Sequence, residues 1–229
     1  ASAQVLSFTE VSDESGIVAL NHNPFNQPHG HNVSGGAVGD FNNDGWQDLF
    51  VISDAHRLDR LFITNGDGTF TEQAARWWIA NLHSGTSATA ADYNGDSWMD
   101  LCVSSTGSTD GIPRAGENLV YRNNGDGTFS EVADQIGLAN RVNAFDPMCV
   151  AFGDYDEDGD LDLFSTAYST GQQGNRLYRN MLHETGNEMF EDVTDEAGLP
   201  PPLERVVSGF AGSFADMERD GVPDTAPIA

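Results

Sequence analysis

Positive charge is scarce in this sequence. Ten basic residues stand against 36 acidic ones, giving a formal net charge of −26 and a pI near 4.1. That imbalance argues against nucleic acid and against anionic membrane surfaces as partners. Cysteine is scarcer still. Cys102 and Cys149 are too few for a disulfide framework. One bridge between them is one reading, and two buried free thiols is the preferred one. No apolar run approaches the roughly 20 residues of a membrane-spanning helix. No secretory leader opens the chain, which fits a mature or trimmed form. Catalytic signatures are missing as well: there is no G-x-S-x-G, no H-E-x-x-H and no P-loop. A non-enzymatic role is therefore preferred.

What the chain does contain is aspartate at fixed spacing. Residues 154–162 read DYDEDGDLD, with carboxylates at positions 1, 3, 5 and 9 and a glycine at position 6. The same nonamer recurs as DFNNDGWQD at 40–48, DYNGDSWMD at 92–100 and DMERDGVPD at 216–224. Calcium takes six to eight oxygen ligands, and alternate side chains of a tight turn converge on such an ion. The spacing predicts up to four Ca²⁺ sites. Their ligands are Asp40, Asn42, Asp44, the Trp46 carbonyl and Asp48; Asp92, Asn94, Asp96, the Trp98 carbonyl and Asp100; Asp154, Asp156, Asp158, the Asp160 carbonyl and Asp162; and Asp216, Glu218, Asp220, the Val222 carbonyl and Asp224. No EF-hand is present, because position 12 brings no carboxylate and the flanks are β-type. Ser97 replaces the turn glycine in the second loop, so that loop is expected to be the weakest. The ions are expected to staple loops and not to act in catalysis.

A second element follows each of the first three loops. NGDGTF at 65–70 and at 124–129, and GNEMF at 186–190, each read as a hairpin between two strands. One unit thus has four strands, with the calcium loop between the first and second. The first aspartates fall at 40, 92, 154 and 216. Four-stranded units at that period predict an all-β propeller. The blades are expected at 35–79, 87–138 and 148–199, with half a blade at 207–229. Residues 1–17 read as a lone outer strand, because the stretch from Phe8 to Ile17 matches that from Phe190 to Leu199.

The stretch GAVGDFNNDGWQDL at 36–49 resembles the FG-GAP/VCBS repeat of integrin α-subunit propellers and their bacterial relatives. The stretch FEDVTDEAGL at 190–199 is similar to blade endings of the cartilage-acidic-protein/ASPIC-type branch. The resemblance implies an integrin-α-like propeller, usually of seven blades, with calcium in the loop between strands one and two. About three and a half blades are present here. The missing ones are expected from a partner chain or from further sequence.

Variable loops on the face opposite the calcium are where binding is expected. They carry His29, His31, His56, Arg57, His83, Arg114, Arg141 and Arg205. Cations on an acidic protein suit an anionic protein or glycan ligand, although scattered solvated charge reads equally well. The histidines also admit a transition-metal site, against which stands the lack of converging ligands. Trp77 and Trp78 are read as packing between blades before sugar stacking. The preferred function is an extracellular calcium-binding module for ligand binding or cell adhesion, secreted, periplasmic or at the cell surface. A polysaccharide-active enzyme and a structural subunit completed by another chain are the alternatives.

Overall fold

The computed structural model describes residues 9–17, 35–53, 57–106, 116–139, 147–167 and 174–199. It also describes the strands Ala211–Ala215 and Asp224–Ile228, with side chains only at 212–214. Among the described residues the chain is all-β apart from two single-turn helices. The first sheet comprises β1 (Gly36–Gly39), β2 (Asp48–Val51), β3 (Arg60–Thr64) and β4 (Phe70–Glu72). The second comprises β5 (Gly85–Ala91), β6 (Asp100–Ser105), β7 (Asn118–Asn123) and β8 (Phe129–Glu131). The third comprises β9 (Pro147–Gly153), β10 (Asp162–Ala167), β11 (Arg176–Asn180) and β12 (Phe190–Asp192). Each is an antiparallel meander with its strands in chain order. β13 (Ala211–Ala215) and β14 (Asp224–Ile228) pair as a further two-stranded ribbon.

The inner strands β1, β5, β9 and β13 stand side by side in chain order, and among the described residues the array does not close into a ring. Small residues permit that approach. A Cβ on Gly153 would sit 2.5 Å from the Phe214 ring of the neighbouring inner strand. The second strands β6 and β10 are buried along their whole length, because they are covered on both faces. The hydrophobic core accordingly lies in layers between blades. Phe41, Phe50, Trp77, Leu101, Leu119 and Phe129 fill the first layer. Tyr93, Cys102, Ile136, Leu163, Tyr178 and Phe190 fill the second. Each blade is therefore stabilised mainly by its neighbours, as in repeat proteins.

The third hairpin is present, with β11 and β12 paired, but its connection carries helix α2 (Leu182–Thr185), which ends at left-handed Gly186. The outer strand expected at the N-terminus lies largely outside the described residues, Phe8 included, and the described part of that stretch shows helix α1 (Ser12–Ser15). Both cysteines are free, with Cys102 buried and Cys149 only half-buried.

Candidate metal centres

The three described loops share one hydrogen-bond plan. In the first, Asp40 accepts the Asp44 and Gly45 amides at 3.1 and 2.8 Å, and Asp44 accepts the Trp46 amide at 2.9 Å. In the second, Asp92 accepts the Asp96 and Ser97 amides at 3.0 and 2.8 Å, and Asp96 accepts the Trp98 amide at 2.9 Å. In the third, Asp154 accepts the Gly159 amide at 3.1 Å and Asp158 accepts the Asp160 amide at 3.0 Å. These bonds fix the carboxylates at positions 1 and 5 against the loop backbone. Carboxylate oxygens of Asp154, Asp156 and Asp162 lie within 4.8 Å of one another. Oxygens of Asp100, Asp154, Asp158 and Asp160 are buried without a hydrogen-bond partner. Buried carboxylate oxygens need a counterpart, and an all-oxygen set of this kind fits a hard divalent cation. In the fourth set, Asp216, Glu218, Asp220 and Val222 lie outside the described residues, and Asp224 opens β14.

The ninth-position aspartates have a role that spacing did not reveal. Asp48, Asp100 and Asp162 are at most 1% exposed. Each accepts the backbone amide that ends strand three: Thr64 at 2.9 Å, Asn123 at 2.8 Å and Asn180 at 2.8 Å. Asp48 and Asp162 also accept the position-2 amide of their loops, Phe41 at 3.0 Å and Tyr155 at 2.9 Å. One carboxylate thus ties the loop to strand three. Burial is the largest influence on their protonation. It raises Asp48, lifts Asp100 to about 8 and lifts Asp162 to about 7, against the backbone hydrogen bonds.

Position 7 governs the connection between strands three and four. The Trp46 ring lies against Gly66, and the Trp98 ring against Gly125, in the hairpins of their own blades. The third loop has Asp160 there, and its carboxylate accepts the His183 amide in the first turn of α2 at 2.8 Å. Burial, ahead of the His183 bond, leaves Asp160 raised to about 6. Asp158, His183 and Glu184 also present ligand atoms within 4.8 Å of one another. His183 stood out in no sequence pattern, because α2 alone brings it there.

Neighbouring blades meet at a repeated joint. The side-chain amide of Asn123 donates to the Phe41 carbonyl of the preceding loop at 2.8 Å, and that of Asn180 to the Tyr93 carbonyl at 2.9 Å. Phe41 packs edge-on against Phe129, and Tyr93 packs against Phe190 with the rings tilted. The Phe129 and Phe190 amides donate to the Trp77 and Ile136 carbonyls of the preceding blade at 2.9 and 2.8 Å.

The opposite face is described in part. His29, His31, His56, Arg114, Arg141 and Arg205 lie outside the described residues. Arg57 lines a cavity of about 330 Å³ with Leu58, Asp59, Arg60, Glu72, Ala75 and Ala80. His83 is not an accessible ligand-face cation. It is 1% exposed, and its Nε2 lies 2.5 Å from buried Asp59, which holds it inside. The two adjacent tryptophans separate: Trp77 packs on Phe129, while Trp78 is exposed.

A profile of FG-GAP-like repeats matches residues 40–103 and 108–165. Cartilage acidic protein 1 of Homo sapiens is 26% identical over 224 residues, covering 96% of this chain and 30% of that protein. Cartilage acidic protein 1 of Xenopus tropicalis is 27% identical over 192 residues, covering 82% of this chain and 27% of that protein. This chain thus spans about 30% of the length of the curated relatives it matches. A solved structure of an Agrocybe aegerita lectin, which recognises non-reducing terminal N-acetylglucosamine, superposes with a TM-score of 0.49 at 18% identity. It covers 84% of this chain and 46% of that chain.

Proposed function

Since this chain belongs to the FG-GAP-like repeat family, we propose that it is a non-catalytic ligand-binding module whose loops are held by calcium. The observation that carries this is the third loop, where three carboxylates converge within 4.8 Å and buried oxygens are left without partners. Asp154, Asp156, Asp158 and Asp162 would hold the ion there with the Asp160 carbonyl. The corresponding sets in the first two loops would do the same with one asparagine each. The ion would supply positive charge and cross-link the loop. The folded protein supplies the rest, since the position-9 aspartates already bind loop to strand. The range of free calcium that such loops require fits an extracellular setting, so the module is read as secreted, periplasmic or at the cell surface, with adhesion to a protein or glycan as its use.

Terbium titration tests the metal reading, because Trp46 and Trp98 stand within their loops as sensitisers. The expected result is saturable tryptophan-sensitised emission that calcium displaces, lost on Trp46→Phe with Trp98→Phe. Absence of sensitised emission, with no effect of calcium on the thermal midpoint, contradicts it.

One further observation favours a partner that completes the fold. The turns after β4 and β8 are covered by the next blade, with Trp77 and Ile136 buried, whereas Ala197 in the turn after β12 is exposed. Blade three thus presents half of the repeated joint.

A further inference from the structure

The third acidic loop departs from its two counterparts on one side. Where they place Trp46 and Trp98 at position 7, it places Asp160, and the hairpin beside it carries α2. The change brings a nitrogen ligand to a set of oxygens. His183 and Glu184 lie in α2, and ligand atoms of Asp158, His183 and Glu184 are all within 4.8 Å of one another. His183 Nδ1 is 3.9 Å from Asp158 Oδ2.

That oxygen is the one the loop leaves unused. Asp158 Oδ1 accepts the Asp160 amide at 3.0 Å, whereas Oδ2 is buried without a hydrogen-bond partner, on a side chain only 13% exposed. A buried carboxylate oxygen needs a counterpart. His183 does not supply one directly, because 3.9 Å is beyond hydrogen-bond reach. The loop's own convergent trio is Asp154, Asp156 and Asp162, and Asp158 is not part of it. Asp160 fixes the arrangement. Its Oδ2 accepts the His183 amide at 2.8 Å, which ties α2 to the loop, and its Oδ1 is also buried without a partner.

We propose that Asp158, His183 and Glu184 form a second metal centre, for zinc or a similar divalent transition ion, which pins α2 to the third loop. An imidazole nitrogen among carboxylate oxygens suits such an ion, whereas calcium takes oxygen ligands. Zinc binds both ligand types at about 2.0–2.2 Å. One ion therefore spans the 3.9 Å gap after a small rotation of His183, whose side chain is 64% exposed. Asp158 would serve the loop through Oδ1 and the second ion through Oδ2. Water or Asp160 Oδ1 completes the shell.

The intact chain, His183→Ala and Glu184→Gln are titrated with zinc by calorimetry in millimolar calcium. Thermal midpoints are measured in calcium with and without zinc. The expected result is saturable zinc binding by the parent chain, roughly tenfold or more weaker in His183→Ala and several-fold weaker in Glu184→Gln. Zinc raises the parent midpoint and leaves that of His183→Ala unchanged. Both side chains are exposed, so the zinc-free midpoints should match the parent. Equal zinc affinity in the parent and in both variants puts the ion elsewhere and overturns the proposal. Absence of saturable binding overturns it as well. So does binding seen only when calcium is withheld, which would assign the cluster to the calcium loop.

Discussion

Ser97 sits at φ +72°, where Gly45 and Gly159 stand in the other two loops at +90° and +99°. The strain expected from its sequence position is present, but it does not single out the second loop. Position 4 is left-handed as well, held by Asn43 at +54°, Gly95 at +72° and Glu157 at +61°. Each loop therefore carries one strained residue that is not glycine, and the strain ranking of the sites lapses. Ser97→Gly is predicted to stabilise the protein by about 0.5–1 kcal/mol, read from urea unfolding. The position-9 aspartates give a pH prediction for the calcium-free protein. Burial, ahead of the backbone hydrogen bonds, lifts Asp100 to about 8 and Asp162 to about 7 in the folded protein, from an ordinary value of 3.8. A raised folded pKa means that the folded state holds the extra protons. The stability they contribute is complete below about pH 4 and is lost as pH rises through 7 and 8. In chelator the thermal midpoint is therefore predicted to fall from pH 5 to pH 8.5. Bound calcium favours the ionised carboxylates and should flatten or reverse that slope.

The joint between blades is carried by side chains that look ordinary in sequence. Asn123 and Asn180 end third strands where asparagine reads as a turn former, yet both are at most 2% exposed and bridge to the preceding loop. Asn123→Ala is predicted to cost about 1–3 kcal/mol, because the Phe41 carbonyl loses its partner inside the protein. A double mutant with Phe41→Leu should show coupling in denaturant melts, since both changes act on one joint. The strands themselves were legible. Apolar runs after each DxDxDG nonamer and the NGDG hairpins mark β2, β3, β6 and β7, and periodicity suffices where a strand is flanked by glycine turns. Helix α2 was not legible, because four residues make no period, and what selects it is Asp160 reaching the His183 amide across the loop. The burial of His83 was hidden for a similar reason. Its partner Asp59 is 24 residues away and meets it only through the fold. Asp160→Ala should therefore loosen α2 and leave the first two blades unchanged, a difference readable from amide exchange at His183 and Glu184.

At the scale of the molecule, packing runs from blade to blade, and among the described residues the inner strands do not close. The burial of β6 and β10 along their whole length follows from that stacking and not from any one sheet. Blade three still presents an exposed turn at Ala197 and a half-buried Tyr155 at the place where Phe41 and Tyr93 meet the next blade. A partner chain or further sequence is proposed to cover that place. Ala197→Arg is predicted to weaken association seen by light scattering without lowering the thermal midpoint. A compact monomer whose residues 5–10 pair with the β13–β14 ribbon would instead support a small closed ring.

Calcium is proposed to hold the acidic loops in their folded form, and a thermal melt with and without calcium is the sharpest check on that proposal. At a calcium level 100 times the dissociation constant each occupied site adds about 2.7 kcal/mol. The midpoint is expected at least several degrees higher in calcium than in chelator at pH 7.5, with part of the gain lost in Asp158→Asn with Asp162→Asn. Superimposable melts in calcium and chelator would contradict it.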